Sequence, residues 1–128
     1  MLEVIMFGRK KYEYVKLDIN KAYSEFAHNR DKIIIICLDE DEEFDKRHMS
    51  GAECFPARII DQFPDYYPEK DMDYYLYSNN KYVSQRNTKI LLKKGYKAYD
   101  LGSFIDYHGA ESGTNISRKE KRRRRHNG

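Results

Sequence analysis

Two cysteines and four histidines are the side chains of this chain best suited to covalent catalysis or metal binding. Cys37 lies near the end of an apolar run at residues 33–38, which favours a buried thiol, and Cys54 follows a turn at Gly51-Ala52. Two cysteines do not predict a disulfide framework, because a chain of 128 residues can bury a core without one. The histidines lie at His28, His48, His108 and His126. Their spacing matches no zinc site, so we predict no bound metal and no cofactor.

Basic residues are concentrated at the C-terminus. Residues 118–128 contain seven Lys or Arg and one Glu, a net charge of +6, whereas the whole chain carries +3; residues 1–117 therefore carry −3. The run Arg122, Arg123, Arg124 and Arg125 suits the phosphates of RNA or DNA, an anionic membrane surface or a targeting address. No aromatic residue is interleaved, so any nucleic-acid contact is expected at the backbone. A solvated terminus that aids solubility is the other interpretation.

The length and hydropathy of the chain favour one domain in the cytoplasm. No apolar run approaches the roughly 18 residues of a membrane helix, and the N-terminus lacks the basic flank and apolar stretch of a secretory signal. Small polar residues at 109–117 resemble a hinge. We therefore expect a domain at residues 1–109 and a flexible polar and basic tail at 110–128.

Strand and helix patterns alternate along the chain. The run 33–38 has no polar alternation, which predicts a strand covered on both faces, as in the middle of a parallel sheet. Further strands are predicted at 2–7, 12–17, 72–77 and 96–100, and a short helix at 41–46. Asp18 is expected to cap a helix over 19–28, and Gly95 to end a helix over 84–94. This order predicts an α/β domain with a mostly parallel sheet.

Several segments follow the pattern of a known family. Glu42-Glu43-Phe44 forms an acidic turn, His48-Met49-Ser50-Gly51-Ala52 follows it, and Leu101-Gly102-Ser103-Phe104 comes near the end. Together with the helix around Thr88 to Leu92, these pieces resemble the rhodanese-like domain in order and spacing, over residues 12–109. The resemblance implies a three-layer α/β/α fold with a central, mostly parallel sheet of about five strands, and a positional role for His48.

The chain departs from that pattern where the family does its chemistry. The family's catalytic loop reads Cys-x-x-Gly-x-Arg-Ser, and the corresponding residues here are Ser78-Asn79-Asn80-Lys81-Tyr82-Val83-Ser84. Sulfur transfer needs a thiolate that carries a sulfane sulfur, and Ser78 supplies only a hydroxyl, with no histidine in the loop to activate it. We therefore predict no catalytic residue and no sulfurtransferase activity, unless the alignment of this loop is wrong.

The same loop is a candidate for anion binding. A strand-loop-helix junction presents backbone amides and the positive end of a helix dipole to an anion. The candidate residues are Ser78, Asn79, Asn80, Lys81, Tyr82, Val83 and Ser84, of which Ser84 could cap the helix. In the alternative interpretation, these polar side chains satisfy only their own backbone. Tyrosines near the loop, such as Tyr75, Tyr77 and Tyr82, belong either to the core or to an exposed recognition patch.

We expect a monomeric, non-catalytic rhodanese-like domain that acts as a binding or regulatory module and holds a protein or small anion at the loop. The alternative is an accessory protein that associates with nucleic acid or the ribosome through its basic tail. An active sulfurtransferase is the third hypothesis.

Overall fold

The computed structural model describes residues 4–7 and 10–114. The strands are β1 (Val4–Phe7), β2 (Lys10–Glu13), β3 (Ile33–Cys37), β4 (His48–Met49), β5 (Glu53–Cys54), β6 (Asp73–Ser78), β7 (Lys97–Ser103) and β8 (Glu111–Ser112). The α-helices are α1 (Ile19–His28), α2 (Asp41–Lys46), α3 (Phe63–Tyr66) and α4 (Lys81–Lys93), and 3₁₀ helices span Ala57–Gln62 and Phe104–Asp106. Most elements lie where the sequence predicts them, but the strand predicted at 12–17 is instead β2 at Lys10–Glu13.

The central sheet is parallel and has the strand order β5-β3-β6-β7. Strand β3 lies between β5 and β6 and is apolar along its whole length, as expected for a strand that is covered on both faces. Ile35 and Ile36 are both fully buried, although they point to opposite faces. The prediction of a covered central strand at residues 33–38 is therefore confirmed.

Helices cover both faces of this sheet and give the domain three layers. On one face α1 contributes Phe26 to the core cluster that also contains Ile35 and Tyr75. On the other face α4 contributes Leu91 to the core cluster that also contains Tyr74 and Phe63. The predicted α/β architecture is confirmed. Within the described residues the central sheet has four strands rather than about five, because residues 15–17 join β7 only through a single bridge between Lys16 and Asp100.

Two small antiparallel pairs lie outside the central sheet. Strand β1 pairs with β2, and β4 pairs with β8, which brings Glu111 opposite Met49. Beyond β8, the Thr114 amide donates to the Asp45 carbonyl over 2.9 Å. Residues 110–114 thus pack on the domain, and the division of the chain at residue 109 stays a prediction. Within the described residues, no helix is long and apolar enough to span a membrane.

The helix ends follow local capping chemistry, with one difference from the prediction. The Asp18 carboxylate accepts from the Lys21 amide at the start of α1, and Gly95 follows α4 with φ of +92°, a left-handed conformation that favours glycine. Helix α4, however, begins at Lys81 rather than Ser84, because the side chain of Asn80 accepts from the Tyr82 amide and caps it.

Candidate functional site

The carboxyl ends of the parallel strands meet at one edge of the sheet, where ligands of open α/β sheets usually bind. Strands β3, β5, β6 and β7 end there at Cys37, Cys54, Ser78 and Ser103. The turn Asn79-Asn80 joins β6 to α4 at this edge, and the Ser103 hydroxyl donates to the Asn79 carbonyl over 3.2 Å. The candidate segment predicted from the sequence therefore lies at the edge where a site is expected.

Ser78 is almost fully buried, with 1% of its surface exposed. Its hydroxyl donates to the Asp39 carboxylate over 2.7 Å and accepts from the Asn80 amide over 3.0 Å. Neither partner is a histidine that could deprotonate it. His48 instead stacks on Phe44 with ring centroids 3.7 Å apart, so its contacts are those of a residue that positions α2.

The Asp39 carboxylate accepts hydrogen bonds from two donors at the turn. Besides the Ser78 hydroxyl, it accepts from the Asn79 amide, which lies 3.1 Å from each carboxylate oxygen. The Cys37 thiol approaches the same carboxylate at 3.6 Å. A charged internal acceptor thus occupies the place where a bound anion would use the amides of this turn.

The remaining candidate residues form the first turn of α4 instead of an open loop. Ser84 is fully buried, and the single proton of its hydroxyl has two acceptors within reach, the Leu76 carbonyl at 3.1 Å and the carboxylate of the buried Asp100. Val83 packs against the core. Lys81 lies over the ring of Tyr82, whose side chain is 66% exposed.

A cavity of about 170 Å³ opens beside the turn. Its lining residues are Glu43, Lys46, Arg47, Asn79 and Phe104. Arg47 donates from Nε and Nη2 to Glu111 over 2.7 and 3.0 Å, and this pairing raises the pKa of its guanidinium. The cavity therefore combines two cations, one carboxylate, an amide side chain and an aromatic ring.

Sequence reasoning missed most of this cavity. Of its residues only Asn79 was a predicted site residue, while Lys46 is the last residue of α2, Arg47 follows that helix and Phe104 follows β7. The sequence did contain one signal for this cavity. Both α2 and the 3₁₀ helix at Phe104 follow strands that end at this edge of the sheet, so their first residues are expected there. The predicted phosphate contacts Arg122, Arg123, Arg124 and Arg125 lie outside the described residues.

The two thiols are poor nucleophiles in this structure. Burial is the main cause that raises the pKa of Cys37 to about 12, and burial together with the hydrogen bond to Asp41 raises the pKa of Cys54. Both are therefore protonated near neutral pH. Among the residues that the structure describes, no group of three or more His, Cys, Asp or Glu side chains is arranged to hold a metal.

No model of a known protein family matches this chain, and no curated protein matches it. Solved structures do match. The rhodanese-like domain of an Anabaena protein superposes with a TM-score of 0.69 at 17% identity, over 80% of this chain and 82% of that domain. A Bacillus halodurans protein gives 0.68 at 14% identity, over 84% and 88%. An E. coli rhodanese solved with anions gives 0.58 at 20% identity, over 64% and 99%.

These likenesses establish the architecture. The chain has the rhodanese-like fold, as the motifs at residues 42–52 and 101–104 implied. At such low identities the likeness is one of fold alone.

Proposed function

We propose that this chain is a non-catalytic binding domain with a rhodanese-like fold, and that the cavity beside Asn79 receives a small anionic group. The observation that carries the proposal is the cavity itself, since Lys46 and Arg47 line it next to the turn that aligns with the family's catalytic loop. Phosphate, sulfate and carboxylate groups are small enough for a space of about 170 Å³.

The absence of catalysis in this proposal follows from the chemistry of Ser78. Its hydroxyl is buried and donates to Asp39, and oxygen does not carry a sulfane sulfur as a thiolate does. A thiosulfate anion approaching Ser78 would also meet the Asp39 carboxylate. We expect no thiosulfate:cyanide turnover. Turnover lost in Ser78→Ala would overturn the proposal, and turnover that persists in that variant would show that the loop is wrongly aligned.

The ligand is expected in the cavity instead of on the amides of the turn. The Asn79 amide already donates to Asp39, so an anion placed there would be repelled by that carboxylate. Lys46, whose ammonium also pairs with Glu43 over 3.4 Å, and Arg47 line the cavity beside the same turn. A guanidinium carries five N–H donors in all. Glu111 accepts hydrogen bonds from two nitrogens of Arg47, Nε and Nη2.

The test is a titration of the full chain with inorganic phosphate, sulfate or acetate at constant ionic strength, followed by the backbone amide signals in NMR. We expect saturable shifts at Asn79 and Phe104. Loss of one charge-assisted contact in Lys46→Gln should weaken binding about tenfold. Lys32→Gln is the matched control, because exposed Lys32 precedes β3 at the opposite edge of the sheet. Shifts that do not saturate, or an equal loss in both variants, would refute the site.

The charge of the tail favours a second candidate function, association with nucleic acid or the ribosome. Residues 118–128 carry +6 and residues 1–117 carry −3, so the tail would supply the affinity for phosphates. Binding of the full chain and of a 1–117 truncation to RNA and DNA should be compared across a salt series. Six charges allow a log–log slope of at most about −4 to −5. Binding that survives truncation would exclude the tail as its source.

A further inference from the structure

The two cysteines of this chain lie side by side in the central sheet, although they are far apart in the sequence. Cys37 is the last residue of β3 and Cys54 the last residue of β5, and the two are direct partners in the parallel register. The Phe55 amide donates to the Cys37 carbonyl over 2.9 Å, which fixes this register just beyond the pair. Residues opposite each other on neighbouring strands point to the same face.

The strand spacing brings these cysteines within the range of a disulfide. Neighbouring strands lie about 4.8 Å apart, and the Cα atoms of disulfide-bonded cysteines are usually about 4.4–6.8 Å apart. Strand β5 has two residues and lies at the edge of the sheet, so it can shift to meet the bond geometry more easily than a central strand. Cys37 is buried, whereas Cys54 is partly exposed. An oxidant can therefore reach one of the two sulfurs.

We propose that Cys37 and Cys54 are an oxidisable pair, which a peroxide converts into an intramolecular disulfide between β3 and β5 within the folded domain. Peroxide first oxidises the Cys54 thiol to a sulfenic acid, and one water leaves. The Cys37 sulfur then attacks the Cys54 sulfur, its proton goes to the departing hydroxyl group, and a second water forms. Overall, two thiols and one peroxide give one disulfide and two waters.

Formation of this bond would alter the surroundings of the Asn79 turn through Asp39. In the reduced protein the Cys37 thiol approaches the Asp39 carboxylate, and the Cys54 thiol approaches the Asp39 carbonyl at 3.4 Å and Asp41 at 3.2 Å. A disulfide has no S–H group, so the hydrogen bonds that the two thiols donate are lost. Asp39 is the acceptor for the Ser78 hydroxyl and the Asn79 amide. The redox state of the pair is thereby coupled to the turn beside the cavity, whether or not the cavity binds an anion.

The experiment treats the full, folded chain with hydrogen peroxide and measures free thiols, intact mass and the linked peptides after digestion. We expect loss of both thiols, a mass lower by two hydrogens and a peptide joining β3 to β5, at a rate independent of protein concentration. The raised pKa values of both thiols predict a slow reaction at neutral pH that accelerates as pH rises. The Asn79 amide signal should shift on oxidation and return when dithiothreitol is added.

Two variants make the result decisive. The chain has only two cysteines, so Cys54→Ser and Cys37→Ala each leave one thiol and should give no intramolecular product. Cys54→Ser changes a partly exposed side chain and is therefore suited to remain folded. Intermolecular dimers, stable sulfinic acid at Cys54, or a disulfide that forms only in denaturant would each overturn the proposal, because none of them uses the folded register.

Discussion

At the scale of single residues, Asp39 determines which hydrogen-bond donors at the end of β6 are available to a ligand. The carboxylate follows β3 and reaches across to the next strand, where it accepts from the Ser78 hydroxyl and the Asn79 amide. These are the donors that an incoming anion would need at the turn. With Asp39 present, the turn is internally satisfied, and open space for a ligand remains on the side of Lys46 and Arg47.

Removal of this acceptor should destabilise the domain. In Asp39→Ala the hydroxyl of Ser78, a residue that is only 1% exposed, loses its acceptor. We therefore expect the free energy of unfolding to fall by about 1–3 kcal/mol. Urea unfolding monitored by circular dichroism measures the change. Asp31→Ala is the control, since Asp31 is exposed and its loss should cost no more than about 0.5 kcal/mol. Equal effects in the two variants would mean that Asp39 does not organise the turn.

Restoring a cysteine at Ser78 should not restore sulfur transfer. A thiol in that buried position would lie beside the Asp39 carboxylate, and a neighbouring negative charge and burial both disfavour a thiolate. We expect Ser78→Cys to show no thiosulfate:cyanide turnover above background. In the double variant Ser78→Cys with Asp39→Asn, alkylation of the new thiol should be faster than in the single variant. Turnover by Ser78→Cys alone would contradict this account.

At the scale of elements, the connection between β6 and α4 is shorter than the seven candidate residues suggest. Only Asn79 and Asn80 separate strand from helix. Asp100 on β7 bonds to the helix that follows this connection, because its carboxylate accepts from the Ser84 hydroxyl on α4; it also accepts from the Tyr14 hydroxyl and, over 2.8 Å, from the Gly102 amide. One buried carboxylate therefore joins α4, β7 and the segment before α1.

Loss of that carboxylate should be costly for the whole arrangement. Asp100→Ala removes one acceptor from each of three donors, one of which, the Ser84 hydroxyl, is fully buried and keeps only the Leu76 carbonyl, and we expect a loss of about 3 kcal/mol in unfolding free energy. Tyr14→Phe removes a single donor and should cost about 1–2 kcal/mol. Urea titrations of both variants provide the comparison. A larger effect for Tyr14→Phe than for Asp100→Ala would refute the role of Asp100 as the shared acceptor.

The elements were predictable where the signal is local, and less so where it depends on distant partners. The apolar run of β3 indicated a covered strand, and Gly95 indicated the end of α4. The start predicted for α4, at Ser84, is wrong, because Asn80 caps the helix and Ser84 therefore lies inside it. The cavity could not be read from the sequence, since Lys46, Asn79 and Phe104 meet only through the crossovers of the parallel sheet. The pairing of Cys37 with Cys54 depends on the same topology.

At the scale of the whole molecule, tyrosines supply much of the bulk on both faces of the sheet. Tyr74 lies in one core cluster, and Tyr75 and Tyr77 lie in the other, as strand alternation predicts. Their hydroxyls bond at the margins of these clusters: Tyr74 donates to the Glu69 carbonyl over 2.7 Å, and Tyr75 to Glu25 over 2.9 Å. Burial is the main cause that raises the pKa of all three phenols.

This core predicts unfolding at alkaline pH. Above about pH 10 the unfolded chain releases its phenol protons, while the buried tyrosines in the folded state keep theirs. The unfolded state then binds fewer protons, so the free energy of unfolding falls as pH rises, by about 1.4 kcal/mol per pH unit for each such group. Urea unfolding at several pH values between about 8 and 11, together with phenolate absorbance, measures this slope. Tyr75→Phe removes one of these phenols and should make the slope shallower. A stability that stays constant up to pH 11, or a slope unchanged in Tyr75→Phe, would show that the phenols of the core are not held in their neutral form.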